Sequence, residues 1–324
     1  MSPLLTAEEW DRRLAEAARP GLAPLLQSWA WGEVQARSGW RVERLELPSG
    51  ALASVQLRGR APLERAYVPR GPVPAGEAAL TDLARWSAER GLARLRVEPD
   101  AGAELVPVLR GLGFRPSPQV QPKYTMIVKL GDEDETLASF NRGTRYNIRL
   151  AAKRGVTVEE GTDGAEMARQ AAASASRQGI RLPAAAYYGL LLDLLPWCRT
   201  YVARVDGEAV AAMVVIHHDG RGYYMFSGAN GRHRELKPVY AAKWAAIRAA
   251  IRDRCRDYDL WGVPPGPDRT HPWYGLWEFK SGFNGELVEY AGCWDLVLGE
   301  VRHGLTEASE KARRSLGRLL RRGA

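Results

Sequence analysis

No run of about eighteen consecutive apolar residues occurs in this sequence, which excludes a membrane-spanning helix of ordinary length. Its start, Met1-Ser2-Pro3-Leu4-Leu5, passes straight into charged sequence with neither a basic leader nor an apolar stretch, so the expected location is cytoplasmic. Cysteine is scarce. Cys198, Cys255 and Cys293 are odd in number and far apart, which excludes a disulfide framework or a paired-cysteine zinc site and reads as reduced core thiols. Histidine is scarce too: His217 and His218 are adjacent on an expected strand and face opposite sides, and His233, His271 and His303 lack partners at ligand spacing. A Gly-x-Ser-x-Gly elbow is missing, because Phe226-Ser227-Gly228-Ala229 lacks the first glycine. Metalloenzyme and serine hydrolase chemistry are thereby set aside, and neither a metal nor a cofactor is expected.

What is present is a globular composition with a basic excess, 46 Lys and Arg against 38 Asp and Glu, for a net charge of +8. Arginine dominates the basic set and suits bidentate phosphate contacts, so the expected partner is anionic. Much of the excess lies in 142–154 and 313–322, which solvated helix faces would explain equally well.

Helix and strand signals alternate along the chain. Thr6-Ala7-Glu8-Glu9 reads as a capping box opening a helix, and Ser28 as the N-cap of a second helix to about Arg37. Strands are expected at 42–47, 51–57 and 65–68, then helix 77–90, strand 93–97, helix 103–112 and strand 124–130. The second half echoes this order. It has helices at 134–153, 164–178 and 184–194, strands at 200–204, 209–217 and 222–226, helix 238–253, and strands at 257–261 and 287–290. The reading is α+β, a mixed α/β chain with a duplicated domain, the first domain taking 1–130 plus 292–324 and the second 131–291.

That order resembles an N-acyltransferase of the GNAT type, in which a splayed sheet lets an acyl donor and an amine meet. A CoA-binding member carries a Gln/Arg-x-x-Gly-x-Gly/Ala turn opening the helix after the meander. Here the junction reads Asn230-Gly231-Arg232-His233-Arg234-Glu235-Leu236-Lys237-Pro238, which argues against acyl-CoA in the second half.

The segment Glu278-Phe279-Lys280-Ser281-Gly282-Phe283 sets one lysine between aromatics and glycines, soon after Gly262-Val263-Pro264-Pro265-Gly266-Pro267. This predicts a sharply bent backbone presenting a cation in a partly apolar cleft, where an ammonium is costly without an anion. A surface lysine beside core aromatics would look the same.

Taken together, several motifs resemble the FemABX family of aminoacyl-tRNA-dependent transferases. They are Gln27-Ser28-Trp29 with Gly39-Trp40, Tyr67-Val68-Pro69-Arg70-Gly71-Pro72-Val73, Arg96-Val97-Glu98-Pro99, and Gly113-Phe114 with Gln121-Pro122. Thr144-Arg145-Tyr146-Asn147-Ile148-Arg149 with Lys153-Arg154-Gly155-Val156, the segment 224–229 and Phe279-Lys280-Ser281-Gly282-Phe283 complete the set. The resemblance implies tandem duplicated GNAT-like acyltransferase domains, with the C-terminal segment returning to the first. It also implies a reaction that serves peptidoglycan synthesis, cell-wall biogenesis and cell shape. A stem-peptide amine of a muropeptide precursor, UDP-linked or lipid-linked, attacks an aminoacyl-tRNA ester to form an interpeptide-bridge amide. Orientation of the partners, a neutral amine and oxyanion stabilisation are what such an enzyme must supply.

By the same resemblance Lys280 lies at the reacting end of the donor as a fixed cation, and Phe279 stacks on the terminal adenine. Glu98 positions or deprotonates the incoming ammonium, or is a strand-end carboxylate held by Arg96. Arg37 and Arg177 are candidates for the acceptor diphosphate, with Trp40, Tyr67 and Arg70 lining the same cleft and Tyr224 and Ser227 a cleft in the second domain. Arg145, Arg149 and Lys153 fall one turn apart on one helix face, a stripe for tRNA phosphates or a solvated face. Staphylococcal-type members carry a coiled-coil arm in the second domain, for which 154–177 leaves no room, so the compact, armless members are the match. A C-terminal helix with Leu305, Ala308, Ala312, Leu316 and Leu319 on one side packs on the first domain or lies on the inner membrane face. The chain is expected to be a monomer. Two readings stay open beside this one: a GNAT-like N-acyltransferase outside wall synthesis, and a non-catalytic basic protein that binds RNA or anionic lipid.

Overall fold

The computed structural model describes residues 5–178 and 183–305, which divide into two compact units, each built on one sheet. Among the described residues, 5–19, 26–121 and 290–305 form the first unit, and 20–25 with 122–289 the second. Arg177 is in a described backbone, but its side chain lies outside the described residues, as does the part of the expected C-terminal helix beyond Leu305.

The first unit opens with α1 (Ala7–Ala18) and α2 (Trp29–Arg37), followed by β1 (Arg41–Glu46), β2 (Leu52–Arg58), β3 (Arg65–Pro69), α3 (Glu77–Glu89), β4 (Arg94–Glu98), α4 (Val106–Gly111) and β5 (Arg115–Pro116). In the second come β6 (Tyr124–Lys129), α5 (Glu133–Ser139), α6 (Arg142–Lys153), β7 (Thr157–Gly161), α7 (Gly164–Gln178), α8 (Ala185–Leu194), β8 (Cys198–Val205), β9 (Glu208–His218) and β10 (Arg221–Ala229). It ends with α9 (Pro238–Arg252), β11 (Asp257–Gly262), α10 (Tyr274–Ser281) and β12 (Glu286–Glu289), and the chain then returns to the first unit as β13 (Trp294–Val297).

The first sheet has the order β1-β2-β3-β4-β13-β5, an antiparallel meander followed by the parallel pair β3 and β4. The second has the order β12-β6-β11-β10-β9-β8-β7, again an antiparallel meander followed by a parallel pair, β10 and β11. In both, an α-helix crosses over between the parallel strands, as parallel pairing requires. β6 stands beside β11 as β13 stands beside β4. Because 124–129 hydrogen-bonds into the second sheet, the expected division at 130 moves back to Pro122.

Apolar side chains explain the layers. Val55, Leu95, Leu80, Phe114 and Trp294 share the first core; Met213, Val215, Tyr201, Tyr258 and Ile247 share the second. β9 reads as a continuous apolar run, the pattern of a strand covered on both faces. Pro238 opens α9 at its first turn, and Ala242, Ala246, Ala249 and Ala250 keep its buried face small.

Three local expectations are corrected. The helix at 134–153 is two helices, because Asp132 closes a capping box with Glu135 and Asn141 Oδ1 accepts the Thr144 amide at 2.7 Å to start another. β7 was unread because only Val158 and Gly161 are even half-buried on this edge strand. At the N-terminus Thr6 caps the Glu9 amide, but the Glu9 carboxylate turns to Arg12 instead of completing the box.

Candidate functional site

β10 and β11 pair at only three positions, Arg221 with Asp257, Gly222 with Tyr258 and Tyr223 with Asp259. Beyond these both strands are irregular toward their other neighbours, β10 between Tyr224 and Phe226 and β11 between Asp259 and Gly262. Trp261 holds a left-handed φ of 60°, an uncommon conformation for a bulky residue and a mark of a bulge that re-aims its neighbours. Asp259 fixes that bulge by accepting the Trp261 amide at 2.7 Å and the Thr125 hydroxyl.

Into this parting of the strands comes Lys280. It sits in the last turn of α10 rather than on a bent loop, and it is 4% exposed. Its Nζ donates to the Gly262 carbonyl at 2.9 Å and lies 5.3 Å from the centre of the Tyr224 ring. The segment 262–267 and the lysine are therefore one assembly. Gly282 serves close approach: Asn141 donates its amide to the Gly282 carbonyl at 3.0 Å, and an added Cβ would overlap Thr144 Oγ1. The turn itself falls on Asn284, with φ 54°.

Burial holds the Lys280 amine at about 7 against the opposing pull of Asp259. The expected fixed cation is thus replaced by an amine poised to gain or lose a proton near neutrality. Tyr224, 5% exposed, donates to Ser227 Oγ at 2.6 Å, and burial pushes its phenol up to about 12. Phe279 makes edge contacts with Tyr240 and Phe283 at 5.1 and 5.4 Å and is only half-buried.

Sequence reasoning missed Lys243 on α9. It is completely buried, its Nζ lies against the face of the Tyr224 ring, and that atom has no hydrogen-bond partner among the described residues. A signal was present: Lys243 shares a helix face with Ala242, Ala246 and Ile247, all buried.

In the first unit Glu98 ends β4 at 1% exposure. Tyr67 Oη donates to one of its oxygens, and the amides of Val120 and Gln121 donate to the carboxylate at 2.8 to 3.1 Å. Gln121 Nε2 also donates to Tyr67 Oη at 3.1 Å. Burial first, then the Glu98 charge, pushes the Tyr67 phenol far up. Arg96 pairs bidentately with Asp295 at 2.7 Å, its partner across β4 and β13. Arg70 adopts a left-handed φ of 51° and lays its guanidinium 3.6 Å from the Tyr290 ring centre. Arg37 is exposed at the end of α2, and Trp40 is half-buried under Arg58, 4.9 Å from its ring centre.

On α6, Arg149 and Lys153 are exposed, whereas Arg145 is half-buried and donates to the Ala138 carbonyl at 3.0 Å and to that of Phe140. Arg145 therefore also ties off the end of α5.

A model of the FemAB family matches residues 200–311, a span holding Tyr224, Ser227, Lys243, Phe279 and Lys280. Lipid II:glycine glycyltransferase of Staphylococcus aureus strain MRSA252 is 24% identical over 401 residues, covering 92% of this chain and 94% of that protein. The alignment outruns the 324 residues of this chain, so the relative carries additional segments. A crystal structure of FemX superposes with a TM-score of 0.81 at 20% identity over 94% of this chain and 98% of its own. A tandem GNAT protein from the clavulanic acid biosynthesis pathway follows at 0.56 and 14%, over 91% and 95%. Two GNAT-like domains in tandem, with only six residues between α7 and α8 and so no coiled-coil arm, are the fold of this chain. The family model, the relative and the duplicated fold agree in making this chain similar to proteins of the FemAB family.

Proposed function

We propose that this protein is an aminoacyltransferase that moves an amino acid from an aminoacyl-tRNA to the stem-peptide amine of a peptidoglycan precursor, forming an interpeptide-bridge amide. The observation that carries the reading is the buried Lys280 amine, held by one peptide carbonyl where β10 and β11 part. The name of the Staphylococcus aureus relative favours a lipid-linked acceptor over a UDP-linked one. Absence of a glycine-rich phosphate turn before α9 favours aminoacyl-tRNA over acyl-CoA; His233 and Lys237 there adopt left-handed conformations without glycine.

Neutral Lys280 takes a proton from the acceptor ammonium, whose ordinary pKa of about 10.4 keeps it charged at neutral pH. The freed amine attacks the ester carbonyl carbon, and Lys280 returns the proton to the departing ribose oxygen. Tyr224 and Ser227 line the donor side, with Phe279 available to the terminal base. Glu98 holds Tyr67 and the backbone of Val120 and Gln121 in place for the acceptor, since its oxygens are already occupied. Arg37, Trp40 and Arg70 are the first unit's candidates for the acceptor, and Arg145, Arg149 and Lys153 on α6 are the candidates for tRNA phosphate.

Incubating the protein with a panel of charged tRNAs and lipid-linked or UDP-linked pentapeptide tests this directly by mass spectrometry. A mass gain of one amino acid with wild type and none with Lys280→Met supports the reading; no gain with any donor and acceptor refutes it.

A further inference from the structure

We propose that Lys243 takes the second proton that aminoacyl transfer releases, acting through Lys280. This rests on the reaction proposed above. Amide formation joins the acceptor nitrogen to the ester carbonyl carbon and breaks the carbon–oxygen bond to the ribose. The ammonium gives up two protons in the process: one ends on the ribose oxygen, which leaves as a hydroxyl, and one remains. Lys280 serves both only if it hands the surplus proton on before it takes the one that it returns to the leaving oxygen, and a second amine at the same ring can receive it.

Lys243 meets the geometric requirements. Its Nζ lies on the Tyr224 ring, and Lys280 Nζ is 5.3 Å from the centre of that same ring. The rings of Tyr258 and Phe279 stand 5.6 and 6.0 Å from Lys243 Nζ. The titratable and charged groups around it are Lys280 on α10, Tyr224 on β10, and Tyr258 and Asp259 on β11. Burial keeps both phenols protonated and neutral. Burial first, then the Lys280 charge, holds the Lys243 amine well below the ordinary lysine range, which favours its neutral form. A buried amine without a hydrogen-bond partner destabilises the fold relative to an apolar side chain of similar shape. Transient protonation explains its presence: the arriving charge meets aromatic faces and the Asp259 carboxylate. Because Lys243 works through Lys280, it is a positioning residue for the proton rather than a catalytic one.

The test compares wild type and Lys243→Met with two nucleophiles, the stem-peptide amine and hydroxylamine. Hydroxylamine attacks uncharged and yields only the proton that the leaving oxygen needs. The variant is expected to transfer to the peptide about 100-fold more slowly at pH 7, with recovery as pH rises, while hydroxylamine cleavage of charged tRNA stays at the wild-type rate. Equal loss with both nucleophiles marks a structural role and overturns the proposal, as does no loss with either. Lysine-selective 13C NMR adds a readout independent of turnover: Lys243 is expected uncharged at pH 7, and a charged Lys243 overturns the proposal. Wild type that is inactive with every charged tRNA refutes the transfer reading and this proposal with it, whereas active wild type matched by Lys243→Met refutes the proposal alone.

Discussion

Lys280 is where a single residue ties stability to chemistry. Its amine releases a proton at about 7 in the folded state, against 10.5 when exposed in the unfolded chain. Between those values the unfolded chain binds more protons, so this group's contribution to stability rises with pH and is lost as pH falls through 7. The slope within the window is about 1.4 kcal/mol per pH unit. Lys280→Met is expected to remove that slope, which denaturant titrations of both proteins at pH 7, 8 and 9 will measure; an unchanged slope would place the charge elsewhere. The identity of this lysine was legible in its aromatic and glycine neighbours. Its protonation state was not, because burial by α10 and the single bond to Gly262, 18 residues away, are long-range facts. Glu98 shows the same limit. Its bonds to the Tyr67 hydroxyl and the 120–121 backbone, and the pairing of Arg96 with Asp295 on the returning β13, are long-range contacts that local sequence does not carry.

At the scale of elements, the parting of β10 and β11 depends on what covers β10. Gly228 lies on that strand beneath α7, and a Cβ there would overlap the Gln170 backbone. Gly228→Ala is expected to destabilise the protein by about 1–3 kcal/mol and to lower transfer, because α7 or β10 must shift. Thermal unfolding alongside the transfer assay checks this, and a fully stable, fully active variant would show that the contact is not needed. Most elements were readable from local periodicity, including both meanders and the helix of each parallel crossover. Misreadings occurred where the signal was short or edge-like. Asn141 and Asp132 are good caps inside a strongly helical window, so their division of 134–153 was masked by propensity on both sides. β7 offers almost no buried face, and β13 finds its partners only by returning to a strand nearly 200 residues earlier.

For the molecule as a whole, duplication and basic charge are the properties that bear on function. The +8 charge predicts binding to tRNA that weakens as salt rises, with part of the slope carried by α6. Replacing Arg149 and Lys153 together with alanine is expected to reduce the salt slope by about 2 and to leave the fold intact, since both are exposed. Arg145 is a poorer probe because it also caps α5. Titrations of charged tRNA at several salt concentrations would show this, and an unchanged slope would remove α6 from the interface. The central claim, that Lys280 manages the protons of aminoacyl transfer, is tested most directly by single-turnover transfer from charged tRNA to lipid-linked pentapeptide across pH 5.5 to 9. The account predicts a rate that rises through an inflection near 7 in wild type and vanishes in Lys280→Met. A wild-type profile without that inflection, or a Lys280→Met protein that keeps the wild-type rate, would contradict it.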